Sequence, residues 1–158
     1  MSTKPDKKKS SLIASNKKAF HEYLVLDTFK AGIVLTGTEI KSIRNGKVSI
    51  KDSFARIEKG EVFLYGLHIS QYDKGSYNNH DPERTRKLLL NKGEISKLTG
   101  KLKTSGLTLV PLRLFFERAW VKVDLGLCKG KKIHDKRKSM MEKDVKRTID
   151  RAVKTFNR

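Results

Sequence analysis

The chain has 158 residues, with 36 Lys plus Arg against 17 Asp plus Glu and a formal charge of +19. That length and an apolar share of 37% support one core with tails, and no apolar run reaches the roughly 18 residues that a membrane span needs. A charge so far above the roughly 2 to 8 that keeps a small domain soluble points to a polyanionic partner, nucleic acid first.

In chain order, Met1-Ser2-Thr3-Lys4-Pro5-Asp6-Lys7-Lys8-Lys9 is charged with no apolar stretch behind it, which predicts a basic arm and not a secretory signal. Tyr23-Leu24-Val25-Leu26 and Ile33-Val34-Leu35 read as short strands. Thr38-Glu39-Ile40-Lys41-Ser42-Ile43-Arg44 has Ile at i and i+3, with Gly46 placed to stop a short helix. Phe54-Ala55-Arg56-Ile57 and Val62-Phe63-Leu64-Tyr65 flank a Gly-containing turn and predict a hairpin. Asp81-Pro82-Glu83-Arg84 carries the signals of a helix start, continuing through Leu88, with a second helical stretch from Glu94 to Leu98. Leu107-Thr108-Leu109-Val110 and Leu112-Arg113-Leu114-Phe115-Phe116 follow as strands, with Pro111 marking an edge or a bulge. Trp120-Val121-Lys122-Val123-Asp124-Leu125 alternates as a half-buried strand does. The expected fold is mainly β, an OB-type antiparallel barrel with short inserted helices.

The ends differ from the body. Residues 1–9 carry a net +3 and residues 129–158 a net +8, leaving +8 for the 119 between. The expected division is a basic arm (1–10), a barrel (11–128) and a basic C-terminal tail (129–158). Residues 130–138 have no core pattern and read as extended or mobile in the free chain. Beyond them Met141, Val145, Ile149, Val153 and Phe156 recur at nearly helical spacing. That stripe belongs either to a helix docked on the barrel or to a segment that folds on a polyanion.

Catalytic and metal constellations are absent from this reading. The four His are scattered, with no pair at i, i+4. Cys128, the single cysteine, excludes an internal disulfide framework and a Cys-rich zinc site; its apolar setting suits a packed thiol better than a nucleophile. Gly126-Leu127-Cys128-Lys129-Gly130-Lys131-Lys132 is one residue short of a phosphate loop and has Lys132 where a Ser or Thr would hold Mg²⁺. No catalytic residue, cofactor or metal is expected; the chain reads as a cytosolic binder.

Cations interleaved with aromatics and hydrogen-bonding groups carry the binding reading. Asn16-Lys17-Lys18-Ala19-Phe20-His21-Glu22-Tyr23 is the richest string, although Phe20 and Tyr23 fit a core equally well. Lys41 and Arg44 share one helix face, and Arg84-Thr85-Arg86-Lys87 precedes the apolar Leu88-Leu89-Leu90. Solvated charge is the plain alternative for both.

These strings, with Gly37-Thr38-Glu39-Ile40-Lys41-Ser42-Ile43-Arg44, His80-Asp81-Pro82-Glu83-Arg84-Thr85-Arg86-Lys87-Leu88-Leu89-Leu90 and Gly130-Lys131-Lys132-Ile133-His134-Asp135-Lys136-Arg137, stand in the order found in the SmpB family of SsrA-binding proteins. The chain resembles that family over essentially its whole length. The resemblance implies an OB-type barrel that binds the tRNA-like domain of transfer-messenger RNA and serves trans-translation, the rescue of stalled ribosomes with tagging of the nascent peptide. It implies a tail that enters the vacant decoding site and mRNA channel of the small subunit and becomes helical there, contacting rRNA. An elongation factor joins through the charged RNA; no membrane is involved, and the protein is expected to be a monomer.

Carried over by position, the expected RNA-binding residues are Asn16, Lys17, Lys18, His21 and Tyr23, then Glu39, Lys41 and Arg44. Arg86, Lys87, Leu89 and Asn91 follow, with Lys129, Lys131 and Lys132 at the tail root. His134, Asp135, Lys136 and Arg137 are the expected decoding-centre residues. One departure is Lys30, where many members carry Glu. The alternatives are a constitutive ribosomal or tRNA-binding structural protein and, less favoured by the site chemistry, an RNA-processing enzyme.

Overall fold

A computed structural model describes residues 10–75, 79–104, 106–131 and 133–156, without the side chains of residues 10, 133–136 and 139. The basic arm at 1–9 and Lys132 lie outside the described residues. Nine strands and four helices follow in order: β1 (Ser10–Ser15), α1 (Lys17–Glu22), β2 (Tyr23–Ile33), α2 (Gly37–Arg44), β3 (Val48–Ser49), β4 (Phe54–Glu58), β5 (Glu61–Tyr65), β6 (His68–Ile69), β7 (Arg86–Leu89), α3 (Lys92–Leu102), β8 (Leu107–Glu117), β9 (Trp120–Gly130) and α4 (Ile133–Phe156).

Pairing runs β8–β4–β5–β7–β2–β9 and returns to β8, so six antiparallel strands close a barrel, as the alternating strand pattern predicts. Strand β1 adds to the part of β8 that β4 leaves free, from Ser10 opposite Glu117 to Ser15 opposite Arg113. The small β3–β6 ladder lies apart. Inside, Val62, Leu64, Leu88, Leu109, Leu125 and Leu127 are buried together. Each such side chain contributes about 1.5–3 kcal/mol on leaving water.

The hairpin β4–β5 forms where the sequence predicts it, with Phe54 opposite Tyr65 and the turn at Lys59-Gly60, both at positive φ. Helix α2 matches its expected span, and Gly46 at φ +72° follows it. The two runs around Pro111 are one continuous strand. Between Pro111 and Arg113 the register shifts against β9, so Leu112 is an extra residue, the bulge that Pro111 signals. The bulge lets Val110 and Leu112 face outward together while Leu109 and Leu114 stay in the core.

That outward pair creates a second, smaller cluster. Helix α1 lies over it, with Ala19 against Val110, Leu112 and Cys128, and Tyr23 and Val25 beside them. Gly126 makes room here, because a Cβ would stand 2.8 Å from Leu112 Cδ1 and force that side chain to shift. Burial pushes the Cys128 thiol up to about 11, so it stays protonated and unreactive near neutral pH.

Two expectations are corrected. Residues 81–88 do not form a helix. Asp81 accepts from the Glu83 N–H (3.0 Å) and its carbonyl from Arg84 (3.2 Å), which closes a turn, and the chain then extends as β7. Pairing of β7 with both β5 and β2 satisfies the backbone and buries Arg86 and Leu88, outweighing the local helix-start signal. The start of the tail, expected to be extended over 130–138, is helical from Ile133, where α4 begins its run to Phe156.

Candidate nucleic-acid interface

Three groups of the expected residues emerge, and some of their members turn inward. The first gathers around α1. Asn16 caps the helix, accepting from the Ala19 N–H at 3.1 Å, while its amide donates to the carbonyls of Pro111 (3.0 Å) and Ile50 (3.3 Å). Its side chain is buried and fully engaged, so Asn16 is corrected from a direct RNA contact to the residue that fixes α1 on the barrel. Lys17 and Lys18 are exposed; Lys18 pairs with Asp52 at 2.5 Å. His21 and Tyr23 are half-buried, Tyr23 against the outer cluster.

Strand pairing brings the tail root to the same place, although more than a hundred residues separate the two in the chain. Tyr23 lies opposite Gly130 and Leu24 opposite Lys129. The Lys131 N–H donates to the Glu22 carbonyl (2.9 Å), and its ammonium reaches the Phe20 carbonyl at 3.4 Å. The exposed Lys17, Lys18 and Lys129 thus form one cationic rim at the base of α4, with Lys131 held against it.

The second group is α2. Lys41 and Arg44 are exposed, the Lys41 ammonium 5.3 Å above the Tyr72 ring. Glu39 and Arg86 are both fully buried and are corrected from RNA contacts to a structural ion pair. Arg86 Nε donates to Glu39 Oε2, and its remaining N–H groups donate to the carbonyls of Leu67 (2.6 Å), Arg84 (2.9 Å) and Pro82 (3.2 Å). Arg84 reaches Glu39 Oε1 from the surface at 2.5 Å, and the Thr36 N–H donates to the same oxygen at 3.1 Å. Burial alone would raise the Glu39 carboxyl, but hydrogen bonds from Arg84, Arg86 and Thr36 outweigh it and hold it below the usual range. A buried charge pair with this many hydrogen-bond partners is the arrangement in which burial is tolerated, although the buried Arg84 Nε and Ser42 Oγ beside it have none among the described residues.

The third group lies at the other end of β2. Leu89 is 52% exposed, although it sits in the apolar run before α3. It packs over Gly32, whose added Cβ would stand 3.3 Å from Leu89 Cβ. Asn91 is exposed and caps α3 by accepting from the Glu94 N–H at 2.8 Å. Lys87 pairs with Glu61 at 3.0 Å. Nearby, Lys30 reaches Glu117 at 3.3 Å and sits 5.8 Å above Phe115. Gly32 and Tyr23 are nine residues apart on one strand, up to about 30 Å, so the Leu89–Asn91 edge and the tail root are separate surfaces.

Of the tail residues, Arg137 is exposed. The backbone of His134, Asp135 and Lys136 occupies the start of α4, while their side chains lie outside the description. The apolar stripe of α4 is not docked: Met141, Val145, Ile149 and Val153 are each more than half exposed, and Phe156 is 94% exposed. Among the described residues no cluster of His, Cys, Asp and Glu is arranged to hold a metal ion. No helix there is long and apolar enough to cross a membrane.

Sequence reading missed one surface group. Phe54 and Tyr65 stack across β4–β5 (5.5 Å, 15°), with Arg56 over both rings. The signal was the alternation of Phe54, Arg56 and Glu58 on the face opposite Ala55 and Ile57.

Comparison with known proteins agrees with the strings that carry the resemblance. The family model described as SmpB protein matches residues 13–155. The SsrA-binding protein of Syntrophobacter fumaroxidans is 57% identical over 143 residues, 90% of this chain and 89% of that protein. The SsrA-binding protein of Geobacillus thermodenitrificans is 57% identical over 146 residues, 92% of this chain and 94% of its own. A solved chain described as "tmRNA-SmpB: a journey to the center of the bacterial ribosome" superposes with a TM-score of 0.64 at 55% identity, covering 76% of this chain and 85% of that one. A match that spans both barrel and tail at this identity leaves one conclusion: the chain belongs to the SmpB family.

Proposed function

We propose that this protein binds the tRNA-like domain of transfer-messenger RNA and delivers it to stalled ribosomes in trans-translation, acting as an adaptor with no catalytic step of its own. The observation that carries the reading is the family match across residues 13–155, which takes in the barrel and nearly all of α4. In this reading the barrel (11–128) holds the tRNA-like RNA, with Leu89, Asn91 and Lys87 at one edge and Lys41 and Arg44 beside α2. The tail (129–158) carries His134, Asp135, Lys136 and Arg137 toward the decoding site and lays α4 in the vacant mRNA channel. Lys17, Lys18, Lys129, Lys131 and Lys132 supply cations at the junction. That work places the protein in the cytoplasm, with the small subunit and its rRNA as the second partner and an elongation factor joining through the charged RNA.

The physical support is a division of surface. A helix that leaves its apolar stripe open while carrying eight Lys or Arg against four Asp or Glu within its span suits a partner that supplies both phosphate and a contact surface. The test is to identify the RNA that co-purifies with the tagged protein. One dominant tRNA-like species is the expected result. A broad pool of tRNA or rRNA would favour a constitutive ribosomal protein instead.

A further inference from the structure

The outer face of β4–β5 carries three aromatic side chains, Phe54, Phe63 and Tyr65, beside the charged Arg56, Glu58 and Glu61. Phe54 and Tyr65 stand opposite each other, 36% exposed in the case of Phe54, and Phe63 lies opposite Arg56 on the same face. The Arg56 guanidinium lies 5.1 Å from the Phe54 ring centroid and 5.9 Å from that of Tyr65. Among the described residues no carboxylate lies within ion-pair distance of it, whereas Lys18, Lys47 and Lys87 each have one. A guanidinium held beside two rings with no carboxylate paired to it suits capture of a phosphate. The Tyr65 hydroxyl donates to Glu58 at 2.6 Å, so that ring is held in place.

This face opens into a cleft of about 390 Å³ whose lining includes Phe54, Arg56, Lys18 and Tyr23 together with two acidic residues, Glu22 and Asp52, the latter paired with Lys18. Tyr23 is opposite Gly130, so the cleft adjoins the root of α4 and lies at the end of β2 remote from Leu89 and Asn91. From this juxtaposition we infer that Phe54, Tyr65 and Arg56 form a docking surface for an unpaired stretch of ribosomal RNA, its bases stacking on the two rings and its phosphate meeting Arg56. Ribosomal RNA, and not the tRNA-like RNA, is the occupant because the cleft is lined by Tyr23, the strand partner of Gly130 at the tail root. The assignment of the two RNAs to the two ends rests on the function proposed above.

The test uses full-length protein with two probes: a tRNA-like transcript in filter binding, and small subunits with an empty mRNA channel in sedimentation. Base stacking on an aromatic side chain predicts a loss of about 5- to 150-fold in subunit affinity for Phe54→Leu, which keeps the apolar bulk, and for Arg56→Ala. Affinity for the transcript and the thermal midpoint should stay at the wild-type value, and Tyr65→Phe should bind subunits as wild type does. A photo-crosslinking phenylalanine analogue at position 54 should label rRNA. Unchanged subunit binding in both variants would overturn the inference, as would a loss confined to the transcript. If wild-type protein itself bound neither probe, the adaptor reading would fall with it.

Discussion

Glu39 shows how far a side chain's chemistry depends on which face of a helix it occupies. Ile40 and Ile43 suggest the apolar face of α2, yet the buried positions are Glu39, Ser42 and Ile43, one residue around the helix. Nothing in the string distinguishes a Glu that meets RNA from a Glu that meets Arg86, because its partner arrives from β7, 47 residues on. Removing one member of a buried pair leaves the other charge uncompensated, so Glu39→Gln should lower stability by about 3–5 kcal/mol, measured by urea unfolding at pH 7. The Glu39 carboxyl is held below its ordinary value of about 4.3, so its contribution is present above that pH and is lost as the pH falls through the folded value. Wild-type stability should therefore drop steeply below about pH 4, and the Gln variant should show a flatter acid limb. Cys128 was legible, since its apolar neighbours predicted a packed thiol; thiol-specific reagents should label it only as the protein unfolds.

Elements with a clear local pattern were read correctly, β8 and β9 included although β1 and β2 pair with them from afar, and those that only distant pairing makes were not. The β4–β5 hairpin needs only its own alternation and turn, and α2 needs only its own period and Gly46. Asp81-Pro82 is a sound helix start, but the chain after it is drawn out as β7 between β5 and β2 by hydrogen bonds that no window of sequence contains. Helix α1 and strand β1 escaped reading because one is six residues long and the other pairs with the far end of β8. The bulge at Leu112 has a consequence of its own. Gly126→Val would press branched carbons onto Leu112 and should cost about 1–3 kcal/mol in the same unfolding assay. On α4, replacing Val145 and Ile149 by Asp removes apolar surface that is more than half exposed. The fold should keep its thermal midpoint while ribosome rescue falls; a loss of midpoint would mean that the stripe is packed on the barrel.

At the scale of the molecule, the charge distribution was the most legible property and the arrangement of surfaces the least. Composition alone pointed to a polyanion, and the family strings named which one. Only strand pairing revealed that Tyr23 meets Gly130, so that the Asn16–Tyr23 string and the tail root share one rim while Leu89 and Asn91 lie at the opposite end of β2. If the barrel neutralises about 6 to 10 phosphates, RNA affinity should fall about 10³- to 10⁵-fold between 50 and 200 mM salt, which filter binding across a salt series would read. A flat response would remove phosphate contact as the main source of affinity.

The central claim is that the barrel grips the tRNA-like RNA without help from the tail, which serves the ribosome, and truncation after Gly130 tests it most directly. Measured side by side, affinity for the tRNA-like RNA should be nearly intact while rescue of ribosomes stalled on a message without a stop codon is abolished. Loss of RNA binding on truncation, or rescue that survives without α4, would contradict it.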